Sequence, residues 1–580
     1  MNRLKGFDQY IQDSMKTWHC PGAAVVIVKG DDVLHQATYG LRDVEEQLPM
    51  TIDTRFPLAS VTKSFTAMSI ALLVDEGKLN WDTPVREYMP EFILDDPYAT
   101  QNVTLRDMLS HRTGLPRHDL SAWRLDISRA DFIKKMKHFK FSATFREKFQ
   151  YNNLMYYVSA YLVEKITGQT WEDFMQDRIF SRLSMHSSNL QPEPLQAGQA
   201  IAKGYRVDRD EYGKAKNLIH MPFGRHTKLS PGAAGALFST PADLIQWLKV
   251  QINEGQVNNF QLVSKNNLKQ MHLPQTVVPG GGFNEALLGN TISTYGMGWC
   301  ITPYREYTLI HHGGNVEGHS LVIAFIPEKK IGVIVLTNIA MLPLSDALLY
   351  EGVDRALGLS GRDWNTKFHE MIDPIIAAEA KAKQTSTKER LEVAPPTHSL
   401  ETYTGTYEAK GYPNFAVKLD DEGFQACTIG SLNWSKLRHY HYNVFEWHIA
   451  DFDYWMKIQF LINDHGEVES ISIPIETAVE DVIFSREQPE LPENDIAAFI
   501  GEYESAVDGI TFNITAHEGK IYVTQNGCSA ILIKPYKLND DLVTFKMNRN
   551  RLEFIRMNNT FPSLIFKTPD MTLEAVRKKK

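Results

Sequence analysis

The sequence predicts an α+β domain followed by small all-β barrels, and three observations carry that reading. The chain opens with a helix and a strand pair, turns mainly helical from about 60 to 280, and returns to short apolar strands near 307–336. Past a polar, proline-containing stretch at 384–397 it becomes aromatic and β-branched with frequent turn residues. One short pattern then occurs twice at a single offset, as internal copies of one unit do.

Each element follows from local spacing. Leu4, Phe7, Ile11, Met15 and Trp18 recur at helical intervals, which predicts an amphipathic helix over 3–18. Two strand-like runs, 23–28 and 33–40, flank Gly30-Asp31-Asp32, a hairpin turn. Stretches 65–76 and 154–167 read as helices, while 307–312, 321–326 and 331–336 read as strands, the last two joined by Pro327-Glu328-Lys329-Lys330. A helix over 345–358 closes the first domain, and 363–383, rich in Ala, Glu and Lys, reads as a connecting helix. Gln384-Thr385-Ser386-Thr387-Lys388 and Ala394-Pro395-Pro396-Thr397 read as linker. Tyr403-Thr404-Gly405-Thr406-Tyr407-Glu408 is echoed by Phe499-Ile500-Gly501-Glu502-Tyr503-Glu504, and Glu422-Gly423 by Glu518-Gly519 at the same offset. The expected organisation is a first domain at 1–360, a connecting helix and linker at 361–397, and barrels at 398–487 and 490–580. A chain of 580 residues exceeds what one hydrophobic core normally supports.

Composition excludes several classes of function. At 43% hydrophobic and 23% charged residues the chain is globular in character. A net charge of −9, with no basic stripe beyond Arg577-Lys578-Lys579-Lys580, argues against nucleic acid as a partner. That tail reads as a solvated, frayed terminus. Cys20, Cys300, Cys427 and Cys528 lie far apart without metal-ligand spacing, which predicts free thiols and no metal. No signal-peptide core and no membrane-length apolar run is present, so the expectation is a cytoplasmic protein without a membrane partner.

Three short motifs carry the chemistry. In Ser60-Val61-Thr62-Lys63 the serine and lysine share a helix face one turn apart, and a serine at a helix start meets free N–H groups and the positive end of the helix dipole. A lysine desolvated there loses its proton readily and becomes a base for the hydroxyl. Taken alone, such a pair is commonly an N-cap with an exposed lysine. The second motif, Tyr151-Asn152-Asn153, supplies a phenol for proton relay and an amide to hold a carbonyl; Tyr412-Pro413-Asn414 has the same spacing within the β region, where a turn is the simpler account. The third, His312-Gly313-Gly314 with Asn315, ends a predicted strand whose glycines permit close approach and whose N–H groups suit half an oxyanion hole. His517-Glu518-Gly519 fits the same short pattern, and His311 is expected on the opposite face of the sheet.

Taken together and in this order, the motifs bring the first 358 residues into resemblance with the serine β-lactamase, DD-peptidase and D-aminopeptidase superfamily, in particular its class C-like branch. Residues 56–65, Glu76-Gly77-Lys78-Leu79, Leu109-Ser110-His111-Arg112-Thr113-Gly114-Leu115-Pro116, Glu164-Lys165-Ile166-Thr167-Gly168 and 312–318 carry the likeness. The resemblance implies an α/β/α sandwich with an antiparallel sheet and a helical subdomain. It implies that Ser60 attacks a carbonyl, that Lys63 and Tyr151 move protons, and that His312 contacts substrate or tunes proton transfer. Asn153 would position the acyl side, Gly314 would permit close approach, and the backbone N–H groups of Ser60 and Asn315 would hold the oxyanion. The tandem β part resembles the lipocalin-like C-terminal domains of several such peptidases.

One departure from the β-lactamases shapes the expected activity. His-x-Gly stands where they carry Lys-Thr-Gly and is similar to D-aminopeptidases and some DD-carboxypeptidases, which points away from efficient antibiotic hydrolysis. The leading reading is therefore a cofactor-free serine peptidase or amidase acting on small peptides, including those with D-residues. A carboxylesterase or weak β-lactamase of the same superfamily, and a non-catalytic ligand-binding protein, are the alternatives. A homo-oligomer stays open.

Overall fold

The computed structural model describes residues 3–578 apart from 124, 191–199, 224–228, 230–231, 280–286, 290–291, 360–361, 387–390, 392, 430–433, 450–453, 489, 492, 508, 539–540, 548–549, 558–559 and 569. Among the described residues, nine antiparallel strands form the central sheet: β1 (Gly22–Lys29), β2 (Asp32–Asp43), β3 (Leu48–Pro49), β4 (Thr276–Val278), β5 (Ser293–Tyr295), β6 (Cys300–Tyr304), β7 (Tyr307–Val316), β8 (His319–Ile326) and β9 (Ile331–Thr337). Their spatial order is β4-β5-β6-β7-β8-β9-β1-β2-β3, so the first hairpin pairs with the last strand and closes the sheet across the whole domain.

Strand alternation decides which side chains meet which layer. Val25 and Ile27 of β1, with Val333 and Val335 of β9, join Phe7 and Ile11 of the opening helix α1 (Phe7–Thr17) in one core. Their neighbours Val26, Val28, Ile334 and Leu336 belong to the opposite core, which holds α2 (Thr62–Asp75), α3 (Leu154–Thr167) and α4 (Pro241–Ile252). Helices therefore cover both faces, and β8 and β9 read as continuous apolar runs because neither face meets water. α2 is buried from Thr62 to Leu73, as a helix apolar on every side must be, and its Phe65 ring stacks 3.7 Å from Trp247 of α4. α5 (Leu344–Leu357) and α6 (Trp364–Ser386) complete the outer layer through Leu348, Trp364 and Phe368.

Three readings are corrected. The region expected to be mainly helical contains a hairpin, Gly204–Arg209 with Ala215–Met221, because Tyr205, Val207 and Leu218 alternate with polar residues around a turn at Asp210 and Gly213. β7 does not end at His312 but continues to Val316, since Gly313 and Gly314 keep their ladder partners Val322 and Leu321. Gln384, Thr385 and Ser386 continue α6, as residues without a helix-breaking proline between 375 and 394 can; Thr387 and Lys388 lie outside the described residues. Among the described residues, no helix is long and apolar enough to cross a membrane.

The C-terminal part forms two closed, eight-stranded antiparallel barrels in simple up-and-down order, from Gly405 to Arg486 and from Gly501 to Arg577. Closure removes every free strand edge. The echoed pattern has one structural meaning in both copies. Tyr407 donates its hydroxyl to Tyr403 O at 2.8 Å, and Tyr503 donates to Phe499 O at 3.2 Å. An arginine from the last strand lies over each tyrosine ring, Arg486 at 5.3 Å and Arg577 at 5.9 Å, and donates to carbonyls preceding the first strand. Arg577 is therefore part of the barrel clasp and not a frayed tail, and Lys578 pairs with Glu502; Lys579 and Lys580 lie outside the described residues. The first barrel shares one continuous apolar core with the sheet domain, whereas the second has its own.

The clasp yields a prediction. Arg577→Ala should cost about 1–3 kcal/mol, the scale of charge-assisted bonds to carbonyls. Amide hydrogen exchange should quicken in Gly501–Ser505 and Thr572–Arg577 while the first barrel stays protected. An unchanged exchange pattern would reduce the arginine to a surface contact.

Candidate active site

Ser60 sits on a tight turn between a short strand and α2. Phe56–Pro57 pairs with Phe238–Ser239, Leu58 N donates to Leu237 O at 2.7 Å, and Ala59 adopts a left-handed conformation with φ 46°. An alanine in that region is strained and persists only where its surroundings impose it. The turn leaves Ser60 half-buried at the start of α2, with Lys63 fully buried in the first helical turn.

Lys63 Nζ lies 3.0 Å from Ser60 Oγ and donates to Ala234 O at 2.9 Å. It stands 4.7 Å from the centre of the Tyr151 ring and 5.4 Å from that of Tyr156. Burial first, and the Arg117 charge second, hold this amine well below the ordinary lysine range, against the opposing pull of Asp119. The Tyr151 hydroxyl shares a hydrogen bond with Ser60, and burial pushes its pKa up, so the phenol keeps its proton. Serine, amine and phenol thus form one connected group.

The segment carrying Tyr151 is pinned to the loop around His111. Gln150 N donates to His111 O at 2.8 Å and Asn152 N to His111 Nδ1 at 3.0 Å. Asn152 is scaffold: its side-chain amide donates to the Leu115 and Pro116 carbonyls, and its Oδ1 accepts from Met155 N at 2.9 Å to cap α3. Asn153 instead donates to Asp119 Oδ1 at 2.9 Å, and Asp119 accepts from Arg117 Nε at 2.7 Å. Arg117 rests 5.2 Å over the Tyr151 ring.

The glycine-lined strand closes the other side. A Cβ at Gly314 would stand 2.4 Å from Leu58 O and 3.1 Å from Ala59 Cβ, so only glycine lets β7 press against the Ser60 turn. The Asn315 side chain accepts from Ser320 Oγ at 2.7 Å and lines a separate cavity of about 280 Å³ with Leu342, Asp346 and Phe368. His312 is buried. Because a carbonyl can only accept, its Nδ1–H donates to Gly313 O at 2.7 Å, and its Nε2 accepts from the Tyr295 hydroxyl at 2.9 Å. Burial, with the Lys63 charge next, lowers its pKa to about 3, so the ring is neutral. Its hydrogen bonds among the described residues run to Tyr295 and Gly313 and not to Ser60.

Sequence reasoning missed His111, Arg117, Asp119, Tyr156 and Tyr295 as members of this cluster. His111 and its neighbours lie in a stretch that already carries the family resemblance, but only the fold brings Tyr295 of β5, whose ring lies 4.7 Å from that of His111, beside Tyr156 of α3, whose ring lies 5.4 Å from it. Tyr412-Pro413-Asn414 and His517-Glu518-Gly519 are barrel loops, as their simpler readings hold, although Tyr412 returns to the first domain at His118. His311 bonds Thr302 Oγ1 at 3.1 Å. None of the four cysteines forms a disulfide, and among the described residues no group of three His, Cys, Asp or Glu side chains gathers as a metal site.

Fold and cluster together define a hydrolase of the serine β-lactamase type. The chain belongs to the beta-lactamase family, whose model matches residues 7–354, and a further model, a domain of unknown function (DUF3471), matches 389–484. It is 30% identical over 436 residues to unguisins hydrolase ungD' of Aspergillus campestris, covering 72% of this chain and 78% of that one. Protein flp of Staphylococcus aureus is 24% identical over 57% of this chain and 62% of its own length. The octameric penicillin-binding protein homologue from Pyrococcus abyssi has the same fold, with a TM-score of 0.55 at 23% identity over 95% of this chain and 99% of that one.

Gly314→Ala tests the close approach. The added methyl meets backbone that cannot swing away, so stability should fall by about 1–3 kcal/mol and labelling of Ser60 by a fluorophosphonate should slow at least tenfold. Wild-type melting and labelling would show that the turn has room to spare.

Proposed function

We propose that the chain is a serine peptidase or amidase acting on small peptides through an acyl-enzyme at Ser60. The observation that carries this reading is the Lys63 amine, buried without a carboxylate partner and 3.0 Å from the Ser60 hydroxyl. Ser60 Oγ attacks the substrate carbonyl carbon as its proton passes to Lys63 Nζ. Backbone N–H groups of Ser60 and Asn315 hold the oxyanion, with Gly314 admitting the substrate to the strand. The C–N bond then breaks as the Tyr151 hydroxyl protonates the leaving nitrogen, and Tyr151 recovers its proton from Lys63. Water, deprotonated by the same pair, hydrolyses the ester and returns Ser60. Asn153 orients the acyl side, and the neutral His312 ring, held by Tyr295, contacts substrate at the strand.

An amide needs its leaving nitrogen protonated far more than an ester needs protonation of its oxygen. A phenol kept protonated by burial and bonded to the nucleophile suits that demand. The relative named as a hydrolase of unguisins supports the hydrolytic class. The octameric state belongs to the archaeal homologue, and sedimentation of this chain decides whether it assembles likewise.

Mass spectrometry after a fluorophosphonate, and after D- and L-aminoacyl esters and anilides, should place the adduct on Ser60. Ser60→Ala should abolish turnover, and Lys63→Met should lower kcat/KM about 10²–10⁴-fold, the range of general-base loss. A chain that stays unlabelled and turns over none of these compounds sinks the proposal; turnover confined to esters selects an esterase.

A further inference from the structure

We propose that Arg117 is a positioning residue for proton transfer at Ser60 and that the first barrel holds it in place. The proposal rests on the reading of Lys63 as the base. It begins from a joint between domains that the catalytic scheme does not use. His118, between Arg117 and Asp119, is completely buried and left-handed, with φ 46°. Its Nε2–H donates to Lys140 O at 2.8 Å, which leaves Nδ1 to accept from the Tyr412 hydroxyl at 2.7 Å. Its backbone N–H donates to Glu476 Oε2 at 2.9 Å, and its ring stacks on Phe139 at 5.2 Å. Tyr412 and Glu476 both come from the first barrel. The backbone on either side of His118 is therefore held by buried hydrogen bonds to another domain, whose loss would leave polar groups unsatisfied, and the partly exposed Arg117 side chain is steered from that backbone by its ion pair with Asp119.

What this joint presents to the site is charge. Arg117 lies 5.2 Å from the centre of the Tyr151 ring that Lys63 Nζ approaches to 4.7 Å, so a fixed guanidinium and the catalytic amine meet at one phenol. A cation there disfavours a second cation on Lys63, which keeps the resting amine neutral and available as a base at lower pH, and it favours negative charge on Tyr151, as release of the phenol proton to the leaving nitrogen requires. Asp119 opposes it but is shared between Arg117 and Asn153. The other titratable groups facing the pair, His111, His312, Tyr156, Tyr295 and Cys300, are held neutral by burial, and Glu476 acts on Arg117 from the barrel side.

The pH profile of kcat/KM on an uncharged anilide separates this role from a merely structural one. Removing the cation lets Lys63 hold its proton to higher pH, so in Arg117→Gln the acid limb should move up by about half a pH unit or more, while Arg117→Lys restores most of the wild-type profile. Glu476→Ala and Tyr412→Phe, which touch no reacting atom, should move the limb the same way by a smaller amount with the circular dichroism unchanged. A profile for Arg117→Gln that superimposes on wild type after scaling overturns the proposal. Should that variant fail to fold, the Glu476→Ala profile decides in the same manner. Fluorophosphonate labelling of wild-type Ser60, lost in Lys63→Met, is run alongside: its absence would mean that the catalytic reading has failed and not the role of Arg117.

Discussion

An amine out of water and without an anion beside it is the constraint around which the first domain is organised. Burying an ammonium ion costs several kcal/mol even after relaxation, and a protein meets that cost by pairing the charge or by letting the proton go. Lys63 has a hydroxyl and a carbonyl as its hydrogen-bond partners, so the second outcome is built in. The apolar walls of α2 and α3, the tyrosine rings that face the amine, and the strand pressed against the Ser60 turn all exclude the solvent that would otherwise restore its charge. Scaffold and chemistry are the same residues here.

The sheet supports this from behind. Because β1 comes first in the chain yet pairs with β9, the last strand of the sheet, the turn at Ser60 is fixed only when residues three hundred positions apart have met. The resulting β7 edge is held by β8 through a full ladder, and its two glycines are strand residues and not a frayed end. In the proposed reaction that rigidity aims a backbone N–H at the developing oxyanion without rearrangement.

Much of this is legible in the sequence where one period dominates. α1, the first hairpin, β8, β9 and the repeated barrel pattern follow from spacing, because each buries one face or two along a regular element. Ser60 and Lys63 are legible because an i, i+3 pair needs only a helix to bring it together. The hairpin over Gly204–Arg209 and Ala215–Met221 is lost among short helical turns, since strands of six and seven residues on a half-exposed surface carry a faint alternation. His111, Arg117 and Tyr295 carry no periodic signal at all: their meeting depends on a left-handed residue, a loop held by another domain and a strand nearly two hundred residues away. Arg577 resembles a disordered tail by composition and is ordered only because a tyrosine ring and two carbonyls await it.

The tyrosine–arginine clasp has a bearing on how the chain is made. In each barrel the ring that begins the meander is sealed by an arginine from its eighth strand. During synthesis from the N-terminus each partly emerged meander therefore has two open edges until its eighth strand has left the ribosome. A product stalled before Thr572–Arg577 would expose unpaired strands while the sheet domain upstream had already formed, so this closing strand bears on the solubility of the whole polypeptide.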